Sequence, residues 1–193
     1  MKALILDGSK ENDETLKIAR ETIENKLHSV GWEVNSFVLR DIEIAPCLGY
    51  FSCWIKTPGV CVIKDAIQDI TREAARSDLW FFLTPVTFGG YSANLKKAVD
   101  RIISFGLPFF VTRTGELHHP PRYAKRAGIV SIGLLKQPNH KTEKTFSELT
   151  ARNAINFASS LYKSEILLNN QSLKEIEVKI EKILSKTKVL SDE

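Results

Sequence analysis

Two loops and one cysteine-bearing segment hold the residue types able to do chemistry in this chain. The first loop, Asp7-Gly8-Ser9-Lys10-Glu11-Asn12-Asp13-Glu14-Thr15, follows an apolar run and leads into an amphipathic one. A helix N-terminus has backbone N–H groups without intrahelical partners and a partial positive charge, so it suits an anion. Ser9, Asn12 and Thr15 add donors for a phosphate, and Lys10 adds a charge. The same stretch also reads as a plain helix entry capped by Asn12 or Asp13. Glu11, Asp13 and Glu14 repel a phosphate unless their side chains turn outward. The second loop runs from Thr84 to Lys96 and contains Pro85, Val86, Thr87, Phe88, Gly89, Gly90, Tyr91 and Ser92. Proline fixes the backbone as it leaves a strand, and paired glycines permit close approach of a flat ligand. Phe88 and Tyr91 offer aromatic faces. The competing reading is a strand-to-helix loop with Ser92 as N-cap and both aromatics buried.

Three cysteines, Cys47, Cys53 and Cys61, lie within fifteen residues and none occurs elsewhere. A secreted disulfide scaffold would spread more thiols along the chain, usually in even number. An iron–sulfur cluster ordinarily takes four thiolates. Zinc would also lack a fourth ligand here, because His28, His118, His119 and His140 are remote in sequence. The readings, in order, are a set of small apolar residues, a pair of redox thiols, and a cluster completed by an outside ligand.

The elements that must position these loops alternate regularly. Ala3–Leu6 is a continuous apolar run, as a strand buried on both faces requires. Leu16, Ala19, Ile23, Leu27 and Val30 then fall on one helical stripe, which Gly31 ends. Glu33 to Leu39 alternates loosely, as an edge strand does. A non-periodic stretch from Arg40 to Val62 precedes a second stripe, Ile63, Ile67, Ile70 and Ala74. Leu79–Leu83 is the most apolar run, and Leu95, Ala98, Val99, Ile102 and Ile103 follow it at helical spacing. A second irregular stretch, Ser104 to Lys125, leads to a fourth strand over Gly128–Leu134. Phe146 to Leu161 gives a fourth helix, Glu165–Leu168 a short last strand, and Leu173 to Ile183 a final helix. Five successive βα units imply a parallel sheet with helices on both faces and right-handed crossovers. With the weak second and fifth strands at the edges, the order is 2-1-3-4-5, the flavodoxin-like doubly wound arrangement. Its ligand crevice lies at the carboxyl ends of strands one and three, where the two loops stand.

The 193 residues fit one domain, expected to span 1–193. Charged residues are scattered and leave a net charge of only +4, which is no nucleic-acid footprint. No apolar run is long enough for a membrane span, and the N-terminus lacks a signal-peptide core. The expectation is a cytoplasmic protein with neither nucleic acid nor membrane as partner.

Several motifs are recognisable together. They are Gly8-Ser9, the run Pro46-Cys47-Leu48-Gly49-Tyr50-Phe51-Ser52-Cys53-Trp54 with Thr57-Pro58-Gly59-Val60-Cys61, and Thr84–Gly90 followed by Leu95-Lys96 and Asp100. They resemble the flavodoxin-like NAD(P)H-dependent FMN reductases, in particular the branch related to iron–sulfur flavoproteins, from Met1 to about Asp100. The resemblance implies FMN at the crevice, with Ser9, Lys10, Asn12 and Thr15 at its phosphate. Pro85, Val86, Thr87, Phe88 and Gly89 would edge its ring, largely through backbone groups. It implies NAD(P)H as co-substrate, a homodimer that completes the flavin site across its interface, and a quinone, flavin, metal or protein as electron acceptor. The flavin carries the chemistry, so no catalytic acid, base or nucleophile is expected from the chain. In the iron–sulfur relatives the cysteine segment supplies four thiolates, and Tyr50 stands at the second of those positions. Trp54 would cover the flavin or the dimer partner, or else pack under its own loop. Arg113, His119 and Arg122 would meet nicotinamide phosphates or an acidic substrate, or else be solvated. Three other functions stay open, an FMN electron carrier without nicotinamide activity, a flavin-free binding module and a cluster protein.

Overall fold

The structure, a computed structural model, describes residues 1–11, 13–113 and 115–187. In chain order its elements begin with β1 (Lys2–Asp7), α1 (Glu14–Ser29), β2 (Glu33–Val38), α2 (Ser52–Ile55) and α3 (Ile67–Arg76). Next come β3 (Leu79–Pro85), α4 (Ala93–Arg101), a 3₁₀ turn (Ile102–Phe105), β4 (Val111–Arg113) and β5 (Glu116–His118). The chain ends with β6 (Gly128–Leu135), α5 (His140–Asn156), β7 (Tyr162–Leu168) and α6 (Leu173–Ser185). The main sheet runs β2-β1-β3-β6-β7, every neighbouring pair parallel. This is the expected 2-1-3-4-5 order, with β6 and β7 as the fourth and fifth strands.

Burial explains the order. Strands β1, β3 and β6 are buried almost throughout, whereas β2 has no buried residue and β7 has one. On one face, Leu16, Ala19, Ile23 and Leu27 of α1 pack with Ile176, Ile180 and Leu184 of α6. On the other, Ile67 and Ile70 of α3, Leu95 and Ala98 of α4 and Phe146 of α5 close a second cluster. Each helix thus buries the stripe its spacing defines.

The structure departs from the sequence pattern at element ends and inside the two long excursions. Val30 is the C-cap of α1 and is exposed rather than the last residue of the buried stripe. Helix α3 starts at Ile67, not Ile63, because Asp65 turns the chain there and its carboxylate accepts from the Ile67 N–H at 3.1 Å. Strand β7 begins at Tyr162, opposite Ile129, three residues before the apolar run that marks it in sequence. The irregular stretch 104–125 contains the antiparallel β4–β5 hairpin, whose three-residue strands are too short to show alternation.

The 40–66 excursion is held down by Arg101, one of the largest fully buried side chains. Its guanidinium donates to Ala45 O at 3.1 Å, Ile63 O at 2.9 Å and Cys61 Sγ at 3.1 Å, and pairs with the Asp65 carboxylate. A buried cation is tolerated only when paired and hydrogen-bonded in this way.

Candidate functional site

Parallel pairing of β1 with β3 sets Asp7 opposite Leu83, so the first and second loops leave the sheet side by side. Hydrogen bonds then stitch them together. The Gly8 N–H donates to Leu83 O at 2.8 Å, and the Ser92 hydroxyl donates to Gly8 O at 2.7 Å. Ser92 also caps α4, accepting from Leu95 N–H, while its own N–H donates to Thr84 Oγ1 at 2.8 Å. A Cβ on Gly8 would stand 2.6 Å from Ser92 Oγ and 2.7 Å from Leu95 Cβ, so only glycine fits against the start of α4.

Beyond this seam opens a cleft of about 820 Å³. Lys10, Glu11 and Asp13 line it from the first loop, and Pro85, Val86 and Thr87 from the second. A third side comes from the end of β6 and the start of α5, through Leu134, Gln137, Asn139 and Thr142. No residue of this side carries a motif in the sequence. Its signal is topological, because the strand beside β3 must open into the same crevice.

The first loop differs from the expected helix entry. Asp13 occupies the N-cap position of α1 but makes no side-chain cap bond. Its carboxylate instead accepts from the Lys10 N–H at 2.7 Å. Asn12 lies outside the described residues. Ser9 is 1% exposed, with its N–H on the Asp7 carboxylate at 2.9 Å, and Thr15 is buried on α1. Glu14 turns outward to Lys17 at 3.6 Å. Arg40, just past β2, donates from Nη1 to Ser9 Oγ at 2.7 Å. This cation at the loop carries no motif either, since its sequence position places it in an unpatterned stretch.

In the second loop, Thr87 and Gly90 exchange both backbone hydrogen bonds, at 3.0 and 2.9 Å. The two residues between them have positive φ, 51° at Phe88 and 79° at Gly89, which makes a mirror-image turn. Such a backbone is uncommon for a bulky residue. Phe88 is nonetheless held there fully exposed, at 104%, so of its two readings the offered aromatic face stands and the buried one fails. Gly89 is fixed by contact, since a Cβ there would meet Thr145 Cγ2 at 2.7 Å. Tyr91 is buried edge-on against Phe82 and Phe146. Burial pushes its phenol up to about 12, although hydrogen bonds with Asn153 and Ser131 pull the other way.

The other candidates sit elsewhere. Cys47 is exposed, Cys53 and Cys61 are partly covered, and all three are free thiols. Burial pushes the Cys53 thiol up, helped by the nearby Cys61 and Cys47. Among the described residues no three His, Cys, Asp or Glu side chains converge as a metal-holding group. Trp54 does not line the cleft. Its Nε1–H donates to Ile103 O at 3.1 Å and its ring lies 4.6 Å from that of His119, which is the packing alternative. Arg113 donates to Ile155 O and His119 O, and Arg122 to Ser104 O, so both brace the 104–125 excursion from within.

The profile of a family described as NADPH-dependent FMN reductase matches residues 1–161. An iron–sulfur flavoprotein of Methanocaldococcus jannaschii is 34% identical over 102 residues, 52% of this chain and 51% of that protein. The chain spans about half the length of the curated relatives it matches. Among solved structures, an NAD(P)H:quinone oxidoreductase from Methanothermobacter marburgensis shares the fold with a TM-score of 0.68 at 15% identity, covering 96% of this chain and 98% of the other. An FMN-dependent NADH-azoreductase from Bacillus anthracis, solved in complex with FMN, has a TM-score of 0.64 at 10% identity, with coverages of 96% and 98%.

Proposed function

This chain is a member of the NADPH-dependent FMN reductase family, and from that premise we propose that it is an oxidoreductase whose FMN sits in the cleft between the first and second loops. The family consists of oxidoreductases that work with FMN and reduced nicotinamide cofactor. The observation that carries the placement is the cleft itself, about 820 Å³ at the carboxyl ends of β1, β3 and β6. Ligand sites of doubly wound sheets occur there, and the volume falls in the range of ordinary cofactor pockets.

The donor set supports the fit. Lys10 and the first turn of α1 form the phosphate end, whereas Ser9 and Thr15 are buried and do not line the cleft. Arg40 adds the cation that this acidic loop needs. Pro85, Val86, Thr87 and Gly89 form the ring edge, and the Thr87–Gly90 turn presents Phe88 as a flat apolar surface beside it. When bound, FMN supplies hydride acceptance from NAD(P)H and onward electron transfer. The chain's part is to orient the ring, exclude water from one of its faces and fix the phosphate; no side chain acts as acid, base or nucleophile. A small molecule such as a quinone or a free flavin takes the electrons, as the names of the structural neighbours suggest. The working assembly is a homodimer in the cytoplasm, in which the partner covers Phe88. No helix among the described residues is long and apolar enough to cross a membrane.

One observation favours a second reading. The Asp13 carboxylate already occupies the Lys10 N–H, and a flavin-free module would keep that contact. The deciding experiment is the visible spectrum of the protein after incubation with excess FMN and desalting, followed by anaerobic NADH or NADPH. Retained flavin that bleaches on addition of either nucleotide supports the reductase. Retained flavin that does not bleach supports an electron carrier. No retained flavin overturns the cofactor reading.

A further inference from the structure

A second cavity, of about 300 Å³, shares no lining residue with the cleft. It lies where the C-terminal ends of α4 and α5 meet the β4–β5 hairpin, and its apolar walls include Trp54, Ile103, Phe110 and Phe157. Its volume is about twice that of the ~150 Å³ apolar cavity known to take one benzene ring, so two fused rings fit.

The polar groups on its walls are positioned by their other partners. His119 Nδ1 lies 2.8 Å from Leu107 O and 2.9 Å from Phe109 O. Both carbonyls only accept, so the tautomer inferred from them carries its hydrogen on Nδ1 and leaves Nε2 as an acceptor. The ring itself is held between Trp54 at 4.6 Å and Phe110 at 4.9 Å. Asn153 gives its amide N–H to the Tyr91 hydroxyl at 3.1 Å, which leaves Oδ1 as a second acceptor. Asn156 has its Oδ1 3.1 Å from Nδ1 of the buried His118, and among the described residues its amide N–H has no partner. The hairpin covering the site is anchored, with Arg152 forking onto Glu116 at 3.0 and 2.6 Å. Asp100 on the wall is paired with Lys96, and Glu116 behind His118 with Arg152, so these charges are neutralised and the acceptors His119 Nε2 and Asn153 Oδ1 are what disfavours an anion.

We propose that this cavity is a binding site for a neutral two-ring phenol. The rings lie against the apolar wall of Ile103, Phe110, Leu117 and Phe157, beside the His119 ring, and the hydroxyl donates its one hydrogen to His119 Nε2 or Asn153 Oδ1 while accepting from the Asn156 amide. The site gives the His118-His119 segment a role that the flavin cleft does not.

The test is calorimetric titration of the protein as purified, with or without FMN, using 2-naphthol. One site per chain is expected, with naphthalene-2-sulfonate at least about tenfold weaker because its anion has no hydrogen to give the two acceptors. Leu117→Trp, at an exposed position on the cavity lining, should weaken 2-naphthol by at least about tenfold without threatening the fold. The proposal is overturned by absence of binding up to the solubility limit, by equal affinity for the sulfonate, by indifference to Leu117→Trp, or by displacement of FMN. Because the titration does not need flavin, its failure is separate from failure of the cofactor reading.

Discussion

Replacing Gly8 by alanine tests whether the seam between the two loops is as tight as its geometry states. The new Cβ would lie 2.6 Å from Ser92 Oγ, 2.7 Å from Leu95 Cβ and 3.3 Å from Leu83 O. The first contact is with a hydroxyl that can rotate away, but in doing so it releases both Gly8 O and the α4 cap. Losing a serine N-cap costs about 1 kcal/mol. The second contact is with a side-chain atom fixed to the helix backbone, and overpacking of that kind costs about 1–3 kcal/mol. Gly8→Ala should therefore destabilise the protein by about 2–4 kcal/mol. With a urea slope of about 2–3 kcal/mol/M, the midpoint falls by about 0.7–2 M. Ser92→Ala alone should cost about 1–2 kcal/mol, since it removes the cap and the seam bond. The double variant should cost less than the two combined, because one contact and one cap are then counted twice. Its cost should still exceed that of Ser92→Ala, because Leu95 Cβ remains. Urea denaturation of the four proteins measures the cycle. A cost below about 0.5 kcal/mol for Gly8→Ala, or strict additivity, would refute the packing argument.

Three further outcomes follow from the same structure. Asp13→Asn removes a charge from the loop and weakens the competitor for the Lys10 N–H, so FMN affinity in fluorescence titrations should rise; an unchanged affinity removes Asp13 from the account. Arg40→Leu should weaken FMN by about tenfold and flatten the dependence of its affinity on salt, both read in the same titration. Burial raises the Asp65 carboxyl, but the Arg101 guanidinium and the N–H groups of Ala45 and Ile67 hold it below its ordinary 3.8 on balance. A depressed carboxyl gives stability that is complete above 3.8 and is lost as pH falls through the lowered value, so Asp65→Asn should flatten the acid limb of the stability curve. At neutral pH the same variant should lose about 3–5 kcal/mol, because it leaves Arg101 buried without its counter-charge; calorimetric melts between acid and neutral pH read both effects.

The sheet order was legible because burial on two faces leaves a mark that a sequence must carry. Leu79–Leu83 has almost no polar residue to put on a solvent face, so it had to be central, while Glu33–Val38 had polar residues on both faces and had to be an edge. The two loops could be placed for the same reason, since they follow the two central strands. What stayed hidden depended on contacts distant in sequence. Arg40 reaches Ser9 across thirty-one positions, and Arg101 gathers Ala45, Cys61, Ile63 and Asp65 from a stretch without periodicity. Neither leaves a local pattern. The exposure of Phe88 was hidden differently. An aromatic between polar and small residues ordinarily turns inward, and only the positive φ shared with Gly89 sends this one out.

The charges at the first loop can now be weighed as a group rather than as a run of letters. In sequence, Glu11, Asp13 and Glu14 stand against Lys10 alone, which argues against an anion. In space, Glu14 is turned to Lys17, and Asp13 bonds the Lys10 N–H. Arg40 enters from β2 to touch Ser9, although it shares its charge with Asp41 at 3.5 Å. The loop is therefore near neutrality instead of acidic, and the phosphate proposed for it would rest on Arg40 beside the loop, on Lys10 and Lys136 in the cleft lining and on the uncapped first turn of α1. Asp13 is the group that a phosphate must displace. On the proposed reading, such a loop would bind its anion more weakly than a basic one.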